Sequence, residues 1–233
     1  MIKSLILNIN IKIKKEGFLM KLLHIIVNSK PEELSSSKKV ASRLINKLLD
    51  AHPECEVENL DLYKEHIPII DYKYLAGRSS IVSDEAYEKL DEKDKKEVDR
   101  INELCNQFMS ADIYVITAPM WNLSYPAPLK SYIDCVVQNG KTVEINKEHV
   151  KGLLDDKERK MIYVQSSGGP VPWILRGKIS QGVEYVEDIM KFLGIKTFKE
   201  LLITNTGFDL ESKIEAEQKA ISKIDALIDD IEN

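Results

Sequence analysis

Residues 21–49 read KLLHIIVNSKPEELSSSKKVASRLINKLL. Leu22 to Val27 form a short apolar run broken only by His24, the mark of a strand buried on both faces of a sheet. Asn28-Ser29-Lys30-Pro31 ends the run. The serine cluster Ser35-Ser36-Ser37 then opens a helix that carries Val40, Leu44, Ile45, Leu48 and Leu49 on one face. A doubly buried strand feeding an amphipathic helix through a short loop is the first half of a βαβ unit.

The alternation continues down the chain. Cys55 to Leu62 alternates apolar and acidic residues and predicts a second strand, with Pro53 before it and Pro68 after it. Ser83 to Ser110 predicts one long charged helix, with Ser83-Asp84-Glu85 as cap and acidic first turn. Its buried stripe is Leu90, Val98, Ile101, Leu104, Cys105 and Phe108. The run DEKDKKEVDR at 91–100 reads as a solvated face of mixed-sign pairs rather than an interaction tail. Asp112 to Ala118 is a third strand and Pro119 to Pro128 a proline-stiffened loop. Leu129 to Gln138 is helical until Asn139-Gly140, and residues 141–158 form an excursion holding a small hairpin. Lys160 to Gln165 is a fourth strand, ended by Ser166-Ser167-Gly168-Gly169-Pro170. Gln181 to Leu193 is a helix stopped by Gly194, and Thr197 to Thr204 a fifth strand. Glu211 to Ile231 predicts one closing helix, with Ile214, Ile221, Ile224, Leu227 and Ile228 inward. Strands alternating with helices imply right-handed crossovers and a doubly wound α/β fold. The expectation is a five-stranded parallel sheet in the order 2-1-3-4-5 with helices on both faces.

Composition bounds the rest. At about 150 residues per domain, 233 residues make one domain with additions. The net charge of −5 argues against a nucleic-acid protein working through a basic face. No stretch approaches the roughly 20 apolar residues of a membrane span. The three cysteines, Cys55, Cys105 and Cys135, are too dispersed for a CxxC pair or a zinc ribbon, and so sparse a count suits a reducing cytoplasm. Residues 1–19, MIKSLILNINIKIKKEGFL, fail as a signal peptide because Asn8, Asn10 and Lys12 interrupt the apolar run. Lys15-Glu16-Gly17 back-translates to a purine-rich sequence a short spacer before Met20. The segment therefore reads as translated leader ahead of a single domain at 20–233.

Ligands in such sheets sit beyond the carboxyl ends of the strands, which singles out three loops. In the first, three consecutive serines stand at a helix N-terminus, where unpaired N–H groups and the helix dipole favour phosphate. Simple capping needs only one serine. The segment matches neither GxGxxG nor GxxxxGK[ST]. The second loop, Pro119 to Pro128, with Met120-Trp121-Asn122-Leu123-Ser124-Tyr125 at its centre, offers a rigid apolar surface to a flat ring, or is a dimer-contact or core loop, and both can hold at once. The third, Ser166 to Pro172, lets backbone approach a ligand through Gly168 and Gly169, or is a plain turn. One ligand satisfies all three: a phosphate on the first loop and a planar heterocycle between the others, which describes FMN.

The segment Ala118 to Gln138, APMWNLSYPAPLKSYIDCVVQ, closely resembles the FMN-dependent NADH-azoreductases, also called FMN-dependent NADH:quinone oxidoreductases. Asn122 and the Pro-Ala-Pro-Leu-Lys run ending at Lys130 carry most of the likeness. Asn28-Ser29, Ser35 to Ser37, Ser166 to Gly169 and KFLGI at 191–195 support it. The resemblance runs from about Lys21 onward. It implies a flavodoxin-like fold, a homodimer and one FMN per subunit. It implies Ser29, Ser35, Ser36 and Ser37 at the phosphate and ribityl end. It implies Met120, Trp121, Asn122 and Leu123 along the isoalloxazine, and Ser166, Ser167, Gly168 and Gly169 at its pyrimidine side. The implied reaction is ping-pong: NADH delivers a hydride to the flavin, NAD leaves, and a quinone or azo compound takes two electrons from the same pocket. The chain departs from the family at Leu123 (commonly Phe), Ser167 (frequently Arg), and Val143 and Ile145 (aromatics). These departures bear on substrate preference more than on flavin binding.

The cofactor carries the chemistry, so the sequence assigns no catalytic acid or base and no metal ligand. His24 reads as a satisfied core residue and His149 as a solvated one. Trp173 and Tyr125 line a substrate pocket or pack a dimer. Trp121, Tyr125 and Tyr132 are expected near the surface, where a second subunit covers them. Two readings compete with the reductase: a flavodoxin-type one-electron carrier binding FMN, and a flavodoxin-like protein without flavin. The motif in the second loop separates the reductase from both.

Overall fold

The computed structural model describes residues 19–169 and 181–232. The expectations for residues 1–18, for the end of the third loop and for Trp173 lie outside the described residues. In chain order the described strands are β1 (Lys21–Ile26), β2 (Glu56–Asp61), β3 (Leu75–Gly77), β4 (Ser80–Ile81), β5 (Ile113–Pro119), β6 (Val143–Ile145), β7 (Val150–Gly152), β8 (Lys160–Ser166) and β9 (Thr197–Ile203). The described α-helices are α1 (Ser36–Ala51), α2 (Asp84–Glu88), α3 (Glu92–Ser110), α4 (Ala127–Val136), α5 (Gln181–Leu193), α6 (Leu210–Ile221) and α7 (Ile224–Glu232).

Five strands form one parallel sheet in the order β2-β1-β5-β8-β9. The expected order counted only five strands. Two antiparallel hairpins outside the sheet, β3–β4 and β6–β7, shift the numbering. The second of these is the hairpin expected in residues 141–158; the first was not anticipated.

The pleat sorts the core into two layers. Leu23, Ile25, Val27, Tyr114, Ile116, Ala118, Met161 and Tyr163 face α3, α4 and α5. Leu22, Ile113, Val115, Ile162, Val164, Leu201 and Ile203 face α1, α6 and α7. Burial on both sides explains the apolar runs that marked β1, β5 and β8.

Five expectations are corrected. The single helix over 83–110 is two, because Asp91 accepts from the Asp94 amide at 2.8 Å and caps a new start. Ser83 makes no capping bond, and its hydroxyl donates to Asp84 instead. The closing helix also breaks, at Ser222-Lys223. There Lys223 N donates to Ala220 O in a tighter turn, and the Ser222 hydroxyl donates to the Lys219 carbonyl. The helix α6 turns Glu217 and Ala220 inward and leaves Ile214 44% exposed. Finally, Tyr132 is fully buried against Phe108 rather than near the surface. Among the described residues no helix is long and apolar enough to cross a membrane.

Candidate functional site

The chain leaves β1 in one direction to make β2 and returns on its other side to make β5, so the β1–β5 junction is the switch point of the sheet. Loops diverge there and open a crevice at the carboxyl ends.

The first loop is organised by Asn28, which is buried just past β1. Its Nδ2 donates to Ser35 Oγ at 2.8 Å and to Ser37 Oγ at 3.3 Å, and its Oδ1 accepts from Lys30 N at 3.0 Å. Ser35 caps α1, accepting from Lys38 N at 3.2 Å. Ser35 Oγ and Ser37 Oγ lie 3.2 Å apart. Ser35 thus accepts twice and keeps its proton to donate. The N–H groups of Ser36 and Ser37, in the first turn, have no intrahelical acceptor. Ser29 is exposed. Ser36 differs from its neighbours, because its hydroxyl donates to Glu217 Oε1 of α6 at 2.7 Å. Lys38 Nζ holds the Lys30 carbonyl at 2.6 Å.

The second loop is a tight turn. Trp121 and Ser124 exchange both backbone hydrogen bonds at 2.9 Å. Asn122 and Leu123 between them have φ of +50° and +65°. Positive φ at both central positions is a type I′ turn. Asn tolerates that region; Leu does not do so easily. Trp121 and Leu123 are exposed, and Trp121 meets Tyr63 edge-on at 6.4 Å. Beside the turn lies a cavity of about 610 Å³, bordered by Tyr63, Trp121, Asn122, Tyr125, Pro126 and Tyr185 among others. That volume is in the range of small-molecule sites. Tyr125 is half-buried, and burial pushes its hydroxyl pKa up to about 12, so it stays protonated. Gly182 at the start of α5 fits under this loop, since a Cβ there would lie 2.9 Å from Ser124 Cα.

The third loop is braced by the loop after β9. Ser167 N donates to Ile203 O at 2.8 Å, Thr206 N to Ser167 O at 3.1 Å, and Gly207 N to Gly168 O at 3.0 Å. Ser167 Oγ donates to Gly169 O at 3.0 Å. Met120 N donates to Ser166 O at 2.7 Å and joins the second loop to the third.

The structure therefore gathers Ser35 and Ser37 at one helix end, and Met120 to Leu123 beside Ser166 to Gly169 on neighbouring strands. Ser36 is turned to α6 and Ser29 stands apart in the exposed part of its loop. Val143 is buried in the core and Ile145 packs half-buried against it, so neither is an open wall residue. His24 is buried: Nδ1 donates to Asn59 Oδ1 at 3.0 Å, leaving Nε2 to accept from Thr117 Oγ1 at 2.9 Å. Burial lowers its pKa to about 4, partly offset by the Asn59 bond. His149 is exposed, with Glu144 at 3.3 Å. Among the described residues no group of three or more His, Cys, Asp or Glu could hold a metal ion.

Sequence reasoning missed Asn28 as the organiser, the bracing glycines Gly182 and Gly207, Tyr63, and Glu217. Asn28 was visible as the polar residue that ends a buried strand. The others act across long separations and leave no local pattern.

Residues 20–228 match the model of a family described by its flavodoxin-like fold. The chain is 54% identical to an FMN-dependent NADH:quinone oxidoreductase of Ruminiclostridium cellulolyticum, over 91% of this chain and 99% of that protein. It is 52% identical to one from Clostridium botulinum, over 91% and 99%. An FMN-dependent NADH-azoreductase from Bacillus anthracis, solved in complex with FMN, superposes with a TM-score of 0.73 at 26% identity, over 89% of this chain and 99% of that one.

Proposed function

We propose, for a chain that belongs to the flavodoxin-like family of FMN-dependent NADH:quinone oxidoreductases, that it is itself an FMN-dependent oxidoreductase moving electrons from NADH to quinones and azo compounds. The observation that carries this reading is the convergence of three loops on adjacent strand ends. A capped helix terminus with unspent donors stands at one end, and an aromatic-edged turn bonded to a glycine loop at the other.

These residues suit FMN. The Ser36 and Ser37 amides and the bonded Ser35–Ser37 hydroxyl pair, with one proton unspent, suit a phosphate at the positive end of a 16-residue helix. Asn28 orients those hydroxyls. The Trp121–Ser124 turn stiffens an apolar ledge for a flat ring, and the Gly168 and Gly169 N–H groups are the backbone donors of the third loop that suit polar ring edges. When bound, FMN supplies hydride acceptance from NADH and electron return to the acceptor. The protein's part is to hold, orient and cover. If donor and acceptor reach the bound flavin through the same pocket, they would alternate in a ping-pong cycle.

The domain runs from Met20 to Asn233. Tyr63 and Trp121, which meet edge-on, and Leu123, Ile69 and the 90% exposed Tyr72 leave apolar groups at the surface, which supports a homodimer in which a second copy covers such groups. Three free thiols suit the cytoplasm, and the negative charge gives no support to a nucleic-acid partner.

The test is the visible spectrum of FMN-loaded protein during anaerobic NADH addition. Complete bleaching that added quinone reverses is the expected result. A flavin spectrum that NADH leaves untouched would instead make the protein an electron carrier.

A further inference from the structure

We propose that Glu217 is a positioning residue for the phosphate end of the cofactor site, acting through Ser36. The inference rests on the reading of the α1 N-terminus as the phosphate subsite.

Glu217 lies on α6 and is only 9% exposed. A carboxylate so placed must be paired and hydrogen-bonded. Its Oε1 accepts from the Ser36 hydroxyl at 2.7 Å, Lys39 Nζ stands 3.5 Å from Oε2, and Lys213 Nζ stands 4.0 Å from Oε1. Lys213 Nζ also donates to the Leu34 carbonyl at 3.4 Å, so α6 reaches the first loop itself. Its helix neighbours Ala216 and Ala220 pack into the apolar layer against α1. An apolar residue at 217 would serve that packing without desolvating a charge.

The first turn of α1 is therefore held from two sides. Asn28 grips Ser35 and Ser37 from the sheet side, and Glu217 grips Ser36 from the helix side. With Ser36 turned away, the hydroxyls of Ser35 and Ser37 and the first-turn amides form the phosphate-facing set. Lys39 and Lys213 offset the carboxylate's charge, so that the latch does not repel a phosphate dianion. The latch needs the carboxylate's acceptor oxygen rather than its charge. Glu217→Gln keeps that oxygen and leaves Lys39 and Lys213 without their counter-charge.

The experiment is a flavin-fluorescence titration of the full-length apoprotein with FMN and, separately, with riboflavin, which lacks the phosphate. Wild type should prefer FMN. Ser36→Ala and Glu217→Ala should weaken FMN by about tenfold, the scale of one hydrogen bond, and leave riboflavin within about twofold. Glu217→Gln should match or exceed wild type for FMN. Equal weakening of both flavins, no change in either, or Glu217→Gln falling with Glu217→Ala would overturn the assignment. A wild type that binds riboflavin as well as FMN would remove the phosphate reading, and the inference with it. Melting temperatures measured alongside separate a loosened fold from a loosened subsite.

Discussion

The amide of Met120 donates to the carbonyl of Ser166 at 2.7 Å. This bond follows directly on the last register pair of β5 and β8, Pro119 with Ser166. The second and third loops thus leave the sheet from a common root. Residues from separate parts of the sequence become a single ledge, and substitutions at either loop are felt by the other.

Gly207 tests that coupling. A Cβ at this position would come within 2.8 Å of Gly168 Cα and 3.0 Å of its carbonyl oxygen, with no flexible side chain able to yield. Gly207→Ala should cost about 1–3 kcal/mol, as overpacking against fixed backbone does. It should weaken FMN and riboflavin alike, because the ring end is disturbed. Thermal melting and the two-flavin titration read these effects. Weakening confined to FMN would contradict the placement of this loop at the ring.

Leu123 holds φ of +65° while 55% exposed, so its side chain contributes little packing to offset the strain. Leu123→Asn or Leu123→Gly should stabilise the protein by up to about 1 kcal/mol, the cost of the left-handed region for a residue with a bulky Cβ substituent. The denaturation midpoint is the measurement. Quinone KM should change more than NADH-independent flavin affinity, since the side chain faces outward from the turn.

His24 makes stability depend on pH. Burial lowers its folded-state pKa to about 4, from 6.5. As pH falls below 6.5 the unfolded chain binds the proton first, so stability is full above that value and declines toward pH 4. The loss from this group is about 3 kcal/mol, at about 1.4 kcal/mol per unit. Urea unfolding at pH 7 and pH 4.5 should show the decline in wild type and a smaller one in His24→Asn.

The three cysteines should react unequally. Burial pushes the Cys105 thiol up to about 11 and the Cys135 thiol up to about 12, while Cys55 is only partly buried. Thiolate is the reactive form. A thiol-specific chromophoric reagent should label Cys55 alone in the native protein and all three after unfolding.

Much of the fold was legible because its strands are buried on both sides. Leu22–Val27, Asp112–Ala118 and Lys160–Gln165 had to be mostly apolar runs, and glycine or proline stops marked their ends. The helix breaks at Asp91 and Ser222 were less legible. A charged helix tolerates many cap-forming residues, and only packing selects which one caps. Ile214 and Tyr132 were misplaced for a related reason. Periodicity gives the relative angle of residues on a helix, but not where that helix sits against the sheet.

The sequence by itself determined the α/β alternation, the serines and aromatic turn at strand ends, and the likeness that names the flavin. Each is carried by residues close together in the chain, where local hydrogen bonding and hydrophobic period suffice. Only the tertiary structure decided that Ser36 faces Glu217, 181 residues away. It alone showed that Gly207 must lack a side chain because Gly168 lies against it, and that Met120 and Ser166 share one bond. Those choices depend on which surfaces meet when the layers close, and close packing between distant segments leaves no periodic trace in the chain.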